Sequence, residues 1–280
     1  MRKLNKPTIL SHIVYSACIG VVRNLGLRGR LNACLPNILA AEIELNSKIT
    51  RGTVYTIPQE AIVNGNVTAT ELKDVYTLRM VGNTAGRVFY DQILISSPTG
   101  LCPYCSHGNV STIDHYLPKA LYPCLATVPI NLIPSCGDCQ DKNIDFPVNA
   151  NTETLHPYYD DIENDLWLKA DLVMNVPLTV RFSVLQAVGW SNLLFERTKS
   201  HLECYNLHVL YAVQAGREMS ELKKLLQINF GKTGEAGIKQ LLEETTLSKE
   251  LSNLNSWKSA LYRELSTNQW FYSGGFENIT

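Results

Sequence analysis

Residues 102–143 read CPYCSHGNVSTIDHYLPKALYPCLATVPINLIPSCGDCQDKN, and the CxxC pairs at either end of this stretch decide how the chain is organised. Cys102 with Cys105, and Cys136 with Cys139, place two thiolates on each of two tight turns, so that four sulfurs can converge tetrahedrally on one Zn2+. The module between them is too short to bury much core of its own. A bound metal would supply the cross-link that a larger apolar interior would otherwise provide. Disulfides and buried free thiols are the competing readings. With no convincing secretory signal a reducing compartment is expected, and there the pattern favours metal. A CxxC redox centre would explain one pair and leave the other idle. The other cysteines, Cys18, Cys34, Cys124 and Cys204, stand alone and read as small buried hydrophobes.

Between the two knuckles lie Asp114-His115, then Pro118, then Asn131-Leu132, and the second knuckle runs into Gln140-Asp141-Lys142-Asn143. On these residues the stretch resembles the zinc-braced HNH (ββα-metal) endonucleases. Their pattern is CxxC, a DH pair on a β-hairpin, an Asn in the connecting loop, then CxxC leading into a helix with a further Asn or His. The resemblance implies a structural Zn2+ on the four cysteines and a catalytic Mg2+ or Mn2+ ligated by Asp114. It implies His115 as the general base that activates water, and Asn131 as the residue that holds the loop and orients His115. Gln140 stands where Asn or His is usual in the family. Its amide oxygen can still ligate, one methylene further out, and Asp141 or Asn143 is the alternative. An isolated DH pair would otherwise read as a turn with an Asx hydrogen bond.

Working outward, Pro98 and Gly100 punctuate the chain before the first knuckle. Residues 8–45 carry helix-like apolar spacing, interrupted near Gly26 and Gly29, and predict two helices. Residues 52–57 are β-branched and aromatic enough for a short strand. Thr68 and Glu71 form a capping box that opens a helix over 69–81. After the module, 178–184 alternate apolar and polar, the pattern of a half-buried strand. From Ser191 the spacing turns helical over 207–230, 235–244 and 257–270. The expected architecture is α+β and predominantly helical. It has an N-terminal mainly helical region (1–97, for DNA or partner contacts), a zinc-braced HNH module (98–160), and a C-terminal strand and helical subdomain (161–280).

The chain has 280 residues, 45% hydrophobic and 18% charged, with a net charge of −1, which fits a globular protein and gives no global attraction to a polyanion. Binding of nucleic acid would need a local basic surface. Arg2, Lys3, Lys6, Arg23, Arg28 and Arg30 precede the first acidic residue, Glu42, and read equally as a phosphate grip or as a solvated or partner-facing helix. No apolar run reaches the ~18 residues that span a bilayer. Ser11 and His12 interrupt the faint signal-peptide pattern of 9–22, and Tyr15 spoils a lipoprotein reading at Cys18. The expected location is therefore the cytoplasm, with no membrane partner.

Lys119 could touch a phosphate or stay solvated, and His107 reads as a surface residue. His156, in HPYYDD, could bind phosphate or simply pack a loop, and that segment and the ending LYRELSTNQWFYSGGF resemble parts of larger bacterial HNH proteins. The resemblance extends to nucleases of bacterial anti-phage defence, which act on DNA and often work beside a regulatory ATPase. A zinc-stabilised binding module with a degenerate HNH site is the reading from another class. A homing or restriction enzyme would need a DNA-reading element, and no basic recognition helix is evident.

Overall fold

The computed structural model describes residues 1–140, 147–175 and 177–280, which form two compact units, Met1–Asp161 and Ile162–Thr280. The stretches 1–97 and 98–160, separated in the sequence reading, belong to one unit. The described residues are predominantly helical, with small two-stranded antiparallel sheets. None of their helices is long and apolar enough to cross a membrane.

The first unit begins with three helices, α1 (Ser11–Gly20), α2 (Leu25–Ala33) and α3 (Leu35–Arg51), where two were expected. Gly26 and Gly29 lie inside α2 rather than breaking the chain. The signal that wins is Asn24, whose Oδ1 accepts from the Leu27 amide at 3.0 Å and caps the helix. The strand expected over 52–57 is instead a 3-10 turn at Val54–Thr56. Gly52 closes α3 with a left-handed φ of 64°, and the Tyr55 amide is taken by the buried Glu153 carboxylate at 3.1 Å. With that donor spent on a side chain, no ladder forms.

A short hairpin, β1 (Ile62–Val63) and β2 (Val67–Thr68), leads into α4 (Ala69–Asp74), opened by the expected Thr68–Glu71 capping box. The helix then widens to a π-helical turn at Val75–Val81. Next comes α5 (Thr84–Leu94), whose Gly86 lies so close to the Arg79 carbonyl and the Met80 Cα that any Cβ there would collide with backbone.

Glu71 also receives the Arg30 guanidinium through both carboxylate oxygens. Those hydrogen bonds, ahead of that from the Thr68 amide, hold its carboxyl down at about 2. An unfolded Glu titrates near ~4.3, so this contribution is fully present above that pH and is lost as pH falls toward the folded value. Both side chains are partly exposed, which keeps the effect modest. Glu71→Gln is therefore expected to lower the melting temperature at pH 6, with the gap to wild type closing between about pH 4 and 2 in circular-dichroism melts. A gap that persisted at pH 2 would assign the loss to the cap rather than to the charge.

The module follows in the same unit: β3 (Thr112–His115) pairs antiparallel with β4 (Leu132–Ser135), and α6 (Gly137–Gln140) follows the second knuckle.

The second unit holds the hairpin β5 (Leu168–Val173) and β6 (Thr179–Val184), then α7 (Asn192–Cys204), α8 (Leu207–Ser252), α9 (Trp257–Thr267) and α10 (Gln269–Tyr272). The strand 178–184 was legible; its partner β5 was not. The expected segments 207–230 and 235–244 are two arms of α8, broken at Gly234, whose φ of 64° and ψ of −160° suit only glycine. Both arms reach α9. Glu218 on the first accepts from Tyr262 Oη at 2.8 Å, while Glu250 on the second accepts from Arg263 Nε at 2.6 Å.

Candidate metal centre and active site

The first knuckle is shaped by its backbone. The Ser106 amide donates to the Cys102 carbonyl at 2.8 Å, the Cys102 amide to the Gly108 carbonyl at 2.7 Å, and the Gly108 amide to Cys105 Sγ at 3.3 Å. Ser106 accepts a positive φ of 54° to close this turn. Gly108 has to be glycine for another reason: a Cβ there would stand 2.8 Å from Cys136 Cβ and 2.9 Å from its sulfur. The second knuckle is carried by the end of β4 and the start of α6, where the Gln140 amide donates to the Cys136 carbonyl.

The sulfurs of Cys102, Cys105, Cys136 and Cys139 all lie within 4.8 Å of one another, and all four residues are buried. Cys105 and Cys136 are 3.9 Å apart, far beyond a covalent S–S bond. Tetrahedral Zn–S bonds of about 2.3 Å put neighbouring sulfurs ~3.8 Å apart, so the cluster has the size as well as the soft donor set for zinc. The mutual hydrogen bonds of the thiols pull Cys105 and Cys136 below the ordinary thiol range and push Cys102 and Cys139 above it. Four neighbouring thiolates need a cation between them. Cys18, Cys34 and Cys124 are buried and Cys204 is half-buried, and burial raises Cys18 to about 12, as suits an inert core thiol.

Asp114 and His115 end β3 and are 7% and 6% exposed. Asp114 Oδ2 accepts from Tyr104 Oη, inside the first knuckle, at 3.1 Å. His115 Nε2 lies 2.9 Å from the Ala126 carbonyl, and its ring meets that of Tyr76 edge-on with centroids 4.4 Å apart. A carbonyl only accepts, so Nε2 carries the proton and Nδ1 is the nitrogen able to take another.

Asn131 is fully buried and staples the intervening loop: its Oδ1 accepts from the Leu117 amide at 2.8 Å, and its Nδ2 donates to the carbonyls of Leu117 at 3.1 Å and Leu125 at 3.2 Å. The Leu125 carbonyl that it holds adjoins the Ala126 carbonyl that meets His115. Gln140 lies beside β3, with Nε2 donating to the Ile113 carbonyl at 3.3 Å. Asp141, Lys142 and Asn143 lie outside the described residues.

Tyr76 and Tyr104 were not singled out from the sequence. Tyr76 looks like one more apolar position of a helix; it lies in the π-helical turn with its ring against His115. Burial raises its phenol pKa first, with the charges of Tyr90 and Asp114 adding to the rise. Lys119 is half-buried with its ammonium 5.2 Å from the Tyr76 ring; desolvation lowers its pKa, while Asp114 acts in the opposite direction. A carboxylate, a phenol, an imidazole and an ammonium are thus gathered at one end of the hairpin.

His156 serves structure. Its Nδ1 accepts from the Tyr158 amide at 3.2 Å and its Nε2 meets the Ile130 carbonyl at 3.1 Å, so both ring nitrogens are engaged with backbone rather than turned to a phosphate. The N-terminal basic cluster is partly spoken for: Lys3 pairs with Asp161, Arg30 with Glu71, and Lys6 stacks on Tyr159 with its ammonium 3.6 Å from the ring centroid.

No family model matches the chain, and no solved structure matches it. Protein ea31 of Escherichia phage lambda is 28% identical to it over 296 aligned positions, which take in 98% of this chain and all of that protein. What this chain itself offers is a four-cysteine centre suited to zinc, with buried Asp114 and His115 on the hairpin that the centre brackets.

Proposed function

We propose that the chain is a metal-dependent endonuclease of the HNH type that hydrolyses phosphodiester bonds of DNA. The observation that carries this reading is the arrangement of Asp114 and His115 at the end of β3, with the imidazole proton held by a backbone carbonyl of the loop that Asn131 staples. Asp114, through its carboxylate, and Gln140, through its amide oxygen, are the described residues that would hold a hard cation such as Mg2+ or Mn2+. When bound, that cation offsets the negative charge that builds on the phosphate during attack.

The chain's own groups do the rest. His115 Nδ1 takes the proton of the attacking water, Tyr104 fixes the direction of the Asp114 carboxylate, and Lys119 adds positive charge beside the phosphate. A net charge of −1 suits a nuclease brought to its substrate by another protein, and a regulatory ATPase is the partner we propose. Anti-phage defence is the role we propose, on the resemblance of residues 102–143 to nucleases of that kind.

Conversion of supercoiled plasmid with Mg2+ or Mn2+ tests this. His115→Ala is expected to slow cleavage by about 10²–10⁴-fold while leaving zinc content near wild type. Equal cleavage by the two proteins would overturn the assignment. A zinc-stabilised binding module with a degenerate HNH site is the second reading, favoured by the engagement of Gln140 Nε2 with the Ile113 carbonyl. DNA retention with no metal-dependent cleavage by either protein would select it.

A further inference from the structure

The hairpin of the second unit has one edge closed and one edge open. Leu168 stands opposite Val184, Ala170 opposite Phe182 and Leu172 opposite Val180. Outside β5, the Leu172 amide donates to Glu264 Oε1 at 3.1 Å, the Leu168 amide donates to Asn255 Oδ1 at 3.2 Å, and the Leu168 carbonyl accepts from Arg263 Nη1 at 3.2 Å. These residues therefore aim their backbone groups away from β6, and in an antiparallel ladder their opposite numbers aim away from β5. The N–H and C=O groups of Val180, Phe182 and Val184 thus face outward, and among the described residues none of them makes a hydrogen bond.

That open edge lines a groove of about 700 Å³ whose opposite wall is Phe195, Lys199 and Leu202 of α7 and Val209, Ala212 and Val213 of α8. Val209 and Val213 are about half exposed, at 46% and 50%. Along the lining Arg181 and Lys199 stand with the carboxylate of Glu203, and Lys199 also pairs with Glu196 at 3.0 Å, which leaves Arg181 as the cation facing the groove.

We propose that this groove receives an extended acidic segment of a partner protein, which joins β6 as a third strand. Donors and acceptors repeating at strand spacing are matched by another polypeptide backbone, and the apolar wall takes every second side chain. Arg181 selects a carboxylate at the position that faces it. A second copy of this chain is a poor occupant, because its own β6 offers Arg181 rather than carboxylates. Proteins ordinarily cover or charge such edges, and this chain covers β5 with Glu264, Asn255 and Arg263 while leaving β6 bare.

The test is amide-resolved hydrogen exchange on the full chain. The probe is a pool of nine-residue peptides alternating Val, Ile or Phe with Glu or Asp, and the control is a matching pool carrying Lys in place of the acids. The acidic pool is expected to slow exchange at Val180, Phe182 and Val184 by about tenfold or more, and the lysine pool to leave it unchanged. Ala212→Phe, which fills the groove from its wall, should abolish this protection. Val184→Pro, which removes one outward donor at the strand end, should weaken it about tenfold. No protection by the acidic pool, equal protection by the lysine pool, or protection that grows with protein concentration alone would overturn the proposal.

Discussion

Replacing Cys136 with serine is expected to strip the protein of zinc and to unfold residues 102–140, with a large fall in melting temperature. The wild-type chain should carry one zinc per molecule by metal analysis. Structural zinc on thiolates contributes on the order of 10 kcal/mol, comparable to the whole stability of an ordinary domain at ~5–15 kcal/mol. The knuckles have little else to hold them. The first is a turn of backbone hydrogen bonds around Gly108, and the second rests on a four-residue helix, α6. Gly108→Ala is the graded version, since it replaces no ligand yet drives a methyl into Cys136. It should weaken zinc retention against a chelator while sparing the α1–α3 helices. A Cys136→Ser protein that keeps both its zinc and its melting temperature would refute the metal assignment.

Asn131→Ala should be the most damaging substitution away from the cysteines. It leaves the Leu117 amide and the carbonyls of Leu117 and Leu125 without the partners seen here, in a site with no exposure at all. Each orphaned buried group costs ~1–3 kcal/mol, so the loss from three should be at least about 3 kcal/mol, measured by urea denaturation. Asn131→Asp keeps the acceptor for the Leu117 amide but gives up both donations and buries a charge, and it should be no better. Because the Leu125 carbonyl adjoins the one that holds His115, any protein that survives folding should also lose plasmid cleavage. A loss below 1 kcal/mol would mean that the loop is held elsewhere.

Much of the metal centre was legible because thiolate spacing is a local property: CxxC twice, with a strand pair between, leaves few ways to fold. The capping box at Thr68 and the alternating strand at 178–184 were legible for the same reason. What escaped was decided at a distance. The Tyr55 amide is captured by Glu153, ninety-eight residues away, so residues 54–56 form a turn despite their β-branched composition. Tyr76 meets His115 from a widened helix, and nothing in VYTLRMV announces a π turn. Asn131 was expected to hold the loop and orient His115; the three hydrogen bonds it makes to that loop are a tertiary fact.

The break at Gly234 lets one continuous helical stretch serve as two walls. Any residue with a side chain would be strained in that conformation, and an unbroken 46-residue helix would be a rod of about 69 Å. Such a rod could no longer lay both Glu218 and Glu250 on the same α9, and its second arm would carry a bare apolar face toward whichever α9 came within reach, including that of another molecule. The absence of a side chain at one position is therefore what allows both arms to fold back onto α9 of their own chain.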